Sequence, residues 1–143
     1  MDNGTHRDEE AQERPVRAAE RSNDLALLGE LIRKFAQARK WEDYHNPRSL
    51  ILALMGELGE LAALFRWHTD GEASELMQAP ELAEKVREEL ADVFWFLLRL
   101  ADVTGVNLGE ALEAKAKLNE ERYPADQAWG NNLKYTELPG NRN

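Results

Sequence analysis

The chain has 143 residues, 18 of them Lys or Arg and 27 Asp or Glu, so it carries a formal charge of −9 and is long enough for one domain with its own core. It has no cysteine, which excludes disulfide frameworks, thiolate metal sites and cysteine nucleophiles. No basic run and no apolar stretch near the ~20 residues of a membrane span are present, so no nucleic-acid polymer or membrane is expected as a partner, and a cytoplasmic location is.

In residues 1–22, Val16 is the only branched aliphatic among a crowd of charges, and a disordered or frayed tail is expected. From Asp24 the pattern turns helical. Leu25, Leu28, Ile32 and Phe35 recur at steps of three and four after the capping run Ser22-Asn23-Asp24, predicting a first helix that ends near Lys40. Asn46 suits a cap and Pro47 a first turn, so a second helix is predicted from about Pro47 to Trp67, with Leu50, Leu54, Leu58, Leu61 and Phe65 on its apolar side. Residues 68–79 read as a loop. Pro80 opens a third helix carrying Leu82, Val86, Leu90, Val93, Leu97 and Leu100, which stops near Gly105. Asn107 and Glu110 have capping-box spacing for a fourth helix over roughly 108–122. After Pro124 an irregular tail, 124–143, is expected, with Trp129 and Tyr135 as aromatic anchors. The expectation is an all-α, four-helix bundle domain over 23–123 between two tails.

The chemistry concentrates in two pairs of acids. Glu57 and Glu60 are three apart in the second helix, and Glu89 and Asp92 are three apart in the third. At about 100° per residue, each pair projects from one side of its helix on successive turns. Two such helices packed together bring four carboxylates to one point, where mutual repulsion calls for a cation. Oxygen-only ligands favour Mg²⁺ or Mn²⁺ over zinc or copper. Spacing alone is a weak signal in a chain with 27 acids.

Neighbouring residues strengthen it. Gly56 and Gly59 interrupt the second helix beside the glutamates, as where another helix or a ligand approaches the backbone closely. The acidic stripes continue to Trp67 and Phe96, which suits a ligand with a phosphate end and a flat base; both aromatics also suit a core. Lys115, Asn119 and Arg122 form a stripe on the fourth helix that suits a phosphate chain, or equally a solvated face. Glu42 and His45 form one E-x-x-H unit, but di-iron bundles need two. At a helix start, His45 is better placed to donate a hydrogen bond to a ligand or a structural partner.

The runs Trp41-Glu42-Asp43-Tyr44-His45, MGELGELAALFRW (55–67), EELADVFWF (88–96), KLNEERYP (117–124) and KYTELP (134–139) resemble the MazG-like all-α nucleoside triphosphate pyrophosphatases, in particular those that hydrolyse dCTP. The resemblance covers residues 24–139, with the family's E-x-x-E…E-x-x-D signature standing as Glu57, Glu60, Glu89 and Asp92 and 28 residues between Glu60 and Glu89. It implies Mg²⁺ on those four carboxylates, water attack that cleaves a deoxynucleoside triphosphate between its α and β phosphates, and a role in cleaning the nucleotide pool. It also implies a homotetramer built as a dimer of dimers with shared sites. By position, Trp41, His45, Trp67 and Phe96 would meet the nucleotide, and Lys115, Asn119, Arg122 and Tyr123 would lie near phosphates or sugar. Phe96 stands where close relatives have tyrosine, and Ile32 where they can have histidine. The resemblance therefore implies the reaction more firmly than strict dCTP selectivity. A broader NTP pyrophosphatase and a non-catalytic nucleotide- or metal-binding module are the alternatives.

Overall fold

A computed structural model describes residues 24–138, and the expected tail over 1–22 lies outside the described residues. Asp24 starts helix α1 (Leu25–Gln37) by accepting the N–H groups of Ala26 and Leu27 at 2.9 and 3.2 Å. This satisfies donors that the first helical turn leaves without partners. The helix buries Ile32 and Ala36 and stops ahead of Lys40, whose φ of 53° turns the chain out of the helical path. A 3₁₀ turn, Glu42–Tyr44, then leads to His45.

Asn46 caps helix α2 (Pro47–Phe65) by accepting Ser49 N–H at 3.0 Å, with Pro47 in the first turn as its spacing predicts. The segment expected as a loop is instead ordered. Thr69 and Glu72 form a reciprocal capping box that starts the short helix α3 (Asp70–Glu75), and a 3₁₀ turn, Leu76–Gln78, follows. The signal was the T-x-x-E spacing, masked in the sequence by Asp70-Gly71, which reads as a turn. Helix α4 (Pro80–Thr104) ends at Gly105, whose φ of 69° is a left-handed cap that glycine adopts without a Cβ clash.

The chain divides into two compact units, one ending at Val106 and the other beginning at Asn107. In the first, α4 is the central element. It packs along α2 most extensively, and against α1 and the Leu76–Gln78 turn. Leu50, Leu76, Ala83, Val86, Leu98 and Ala101 are buried there, but Leu58, Leu90 and Leu97, expected on the apolar stripes, are exposed. Helices α2 and α4 carry more apolar surface than their partners within the unit cover.

In the second unit, Asn107 accepts Glu110 N–H at 3.2 Å and starts helix α5 (Leu108–Arg122). Pro124 precedes a single helical turn, α6 (Ala125–Ala128), and a 3₁₀ turn covers Tyr135–Glu137. Of the two expected anchors, Trp129 is 88% exposed and packs into no core. No strand occurs among the described residues, so the all-α expectation holds.

Candidate active site

Helix α2 delivers Glu57 and Glu60, and helix α4 delivers Glu89 and Asp92. Carboxylate oxygens of Glu57, Glu60 and Glu89 lie within 4.8 Å of one another. Asp92 stands beside this group: its charge acts on both Glu57 and Glu89. Burial, then Asp92, Glu60 and Glu89, pushes Glu57 above the ordinary carboxylate range. Burial, then Glu60, Asp92 and Glu88, does the same to Glu89.

Oε2 of Glu89 is buried and has no hydrogen-bond partner among the described residues. A buried carboxylate oxygen with no donor to meet it, on a residue whose carboxylate lies close to two others, suits a hard cation. The donor set is oxygen alone. The residues therefore fit a divalent cation such as Mg²⁺, with Glu57, Glu60 and Glu89 as holders and Asp92 adjacent.

Further along α4 lies a second cluster, aromatic in character. Phe35 meets Trp95 edge-on at 5.1 Å between ring centroids and Trp41 at 5.8 Å, and Trp41 meets His45 at 6.2 Å. The Arg39 guanidinium lies 3.5 Å above the Phe35 ring. His45 accepts at Nδ1 from Nε of Arg99 at 2.9 Å, so of its two ring nitrogens Nε2 is the one left to donate. Arg99 also donates to Asp102, which Arg33 of α1 engages through Nε at 3.1 Å.

The structure separates the two readings of Trp67, which is 82% exposed and so is not core; the Arg66 guanidinium stacks over it at 5.1 Å. Phe96 is half-buried. A Cβ built at Gly56 or Gly59 meets nothing within 4 Å, so among the described residues nothing makes the close approach expected there.

Lys115, Asn119, Arg122 and Tyr123 belong to the second unit. There Arg122 lies 5.0 Å from the centroid of the Tyr135 ring, and Tyr123 meets the same ring edge-on at 6.0 Å. Lys115 and Asn119 are exposed on α5.

Sequence reasoning did not single out Arg99, Asp102 or Arg33. A weak signal existed, since Arg99 and Asp102 are three apart on the helix that bears Glu89 and Asp92. Nothing in the local pattern points to partners at Arg33 and His45.

The MazG-like family model matches residues 55–138, more than half of the chain and including all four acids. The chain belongs to the MazG-like family. A human protein named dCTP pyrophosphatase 1 is 47% identical over 115 residues, covering 80% of this chain and 68% of the relative. The rat protein of that name is 43% identical over the same length and the same shares. Among solved structures, a pyrophosphatase from Archaeoglobus fulgidus has a TM-score of 0.62 at 35% identity, covering 66% of this chain and 87% of its own. The MazG-like assignment made on motifs is thus borne out. Among the described residues of this MazG-like chain, no helix is long and apolar enough to cross a membrane.

Proposed function

We propose that the chain is a nucleoside triphosphate pyrophosphatase that uses a divalent cation, Mg²⁺ with Mn²⁺ as a substitute, to convert a deoxynucleoside triphosphate and water into the monophosphate and pyrophosphate. dCTP or a modified dCTP is the preferred substrate, in line with the names of the relatives, and the role is removal of unwanted nucleotides from the pool. The convergence of Glu57, Glu60 and Glu89, with the buried Oε2 of Glu89 lacking a donor among the described residues, carries this reading. A bound cation would offset charge on the phosphate oxygens and lower the pKa of an attacking water.

The protein's own residues do the rest. Glu57, Glu60, Glu89 and Asp92 concentrate negative charge where a cation is to be held, and one of them takes the proton of the attacking water. Trp41 or Trp67 offers an exposed face for a base, while His45 orients it. Phe96 adds an apolar edge. By the resemblance alone, Lys115, Asn119, Arg122 and Tyr123 would serve phosphate or sugar oxygens.

A homotetramer, assembled as a dimer of dimers, belongs to the same reading. Its support is the exposed series Ile51, Leu52, Met55 and Leu58 on α2, together with the open backbone at Gly56 and Gly59.

A wider substrate range is the second reading, favoured by two positions. Ile32 is 3% exposed and offers no polar group, and Phe96 has no hydroxyl, so neither contributes the hydrogen bonds on which sharp discrimination depends. Pyrophosphate release from a dNTP panel, with and without Mg²⁺ and with Glu60→Gln and Asp92→Asn, tests the proposal. Undiminished activity in both variants would overturn the site, and a flat panel would favour the second reading.

A further inference from the structure

We infer that Arg99 is a positioning residue for the nucleotide: it fixes His45 as the tautomer whose proton sits on Nε2, leaving that N–H as a donor of set direction. The inference rests on the functional reading above and adds a residue that acts through another. Its basis is a buried group that the acid cluster does not use. Arg99 is 5% exposed on α4, and its Nε–H donates to Nδ1 of His45 at 2.9 Å. A ring nitrogen that accepts a hydrogen bond bears no proton, so the proton of neutral imidazole is on Nε2.

The other end of Arg99 is equally well held. It donates to Asp102, and Arg33 braces the same carboxylate through Nε at 3.1 Å while pairing with Glu30 at 2.6 Å. A guanidinium is planar and rigid, so anchoring one edge on Asp102 sets the direction of Nε. Charge acts in the same sense. The groups shown facing His45 are the Arg99 guanidinium and the Trp41 ring edge, and burial followed by the Arg99 charge depresses the imidazole pKa.

The placement suits the substrate. Arg99 is seven residues beyond Asp92, almost in line with it and about 10 Å along the axis. That separation is comparable with the reach from a phosphate to its base, so a donor there meets an acceptor on the base, such as a pyrimidine carbonyl oxygen or ring nitrogen.

Two substitutions separate this role from a purely structural one. Arg99→Gln puts an amide nitrogen at the level of the arginine Nε, keeping a donor for His45 while losing the pairing with Asp102. Arg99→Met keeps the length and loses both. The full-length chain is labelled with ¹⁵N-histidine and its imidazole tautomer read by NMR, alongside steady-state hydrolysis of dCTP. The expected wild-type result is the Nε2–H form at neutral pH. Arg99→Met is expected to raise KM for dCTP about tenfold with kcat little changed, and Arg99→Gln to recover most of that loss. An Nδ1–H tautomer in the wild type would overturn the inference, as would equal KM increases in the two variants. If Arg99→Met does not fold, the wild-type tautomer and the Arg99→Gln KM decide. If the wild type hydrolyses no dNTP, the functional reading fails while the tautomer still reports on Arg99.

Discussion

Arg99 and His45 are 54 positions apart in the chain, yet their side chains meet at 2.9 Å. The contact ties the turn ahead of α2 to the helix that also supplies Glu89 and Asp92. On the proposed reading, one helix thus carries both the charge for a phosphate end and the anchor for a base end. Their spacing is set by the rise of the helix rather than by loop geometry.

Replacing Glu60 by Gln or Asp92 by Asn keeps side-chain volume and removes one negative charge. Each change is expected to lower kcat/KM for dCTP on the order of 10²–10³-fold, the scale seen when a group that organises charge in a reaction is lost. Pyrophosphate release measures the effect, and circular dichroism verifies that the helices remain.

The raised pKa values of Glu57 and Glu89 make a prediction about the cation-free protein. An acid whose pKa is higher in the folded state binds protons there in preference to the unfolded chain. Stability therefore falls as pH rises from the ordinary Glu value of roughly 4.3 through the raised values. Asp102 is shifted the other way, first by its hydrogen bond from Arg33, so its contribution is lost only as pH drops below its ordinary range. The depressed imidazole of His45 acts the opposite way below its ordinary value, so the carboxylate effect is read as a difference: in EDTA, Tm of the wild type should gain more than that of Glu89→Gln as pH falls towards the ordinary Glu value. Mg²⁺ at a hundred times its Kd should add about 2.7 kcal/mol at pH 8 and markedly less at pH 5, where protons compete. Identical pH profiles for the two proteins would contradict the assignment.

Thr69 accepts Glu72 N–H at 3.4 Å while Glu72 accepts Thr69 N–H at 2.8 Å. Thr69→Ala removes the cap of α3, and a loss of about 1 kcal/mol is expected by urea denaturation. Hydrogen exchange should accelerate first over residues 70–78.

Met55 is 62% exposed on a helix interior, in a row with Ile51, Leu52 and Leu58. If copies of the chain cover this row, light scattering will give a mass several times 16.3 kDa. Leu52→Lys combined with Met55→Lys should then reduce it, because buried lysines without partners oppose association. A monomer at working concentration would remove the oligomer from the proposal.

Helix starts were legible because their causes are local: Asn46 before Pro47, and Asn107 before Glu110, satisfy backbone donors within one turn. The acid pairs were legible too, since a three-residue spacing determines a common side of any helix that contains it. The short helix α3 was missed because Asp70-Gly71 is a turn signal as strong as the capping box around it.

Residue order by itself thus determined the four long helices, where they begin, and which side of α2 and α4 carries the paired acids, all consequences of interactions a few residues long. Only tertiary structure decided that Glu57, Glu60 and Glu89 share one point, that Trp67 faces outward, and that Arg99 reaches His45. Those outcomes depend on how one helix is rotated and shifted against another. That choice is made by the sum of many apolar contacts along α2 and α4, and no short stretch of chain encodes it.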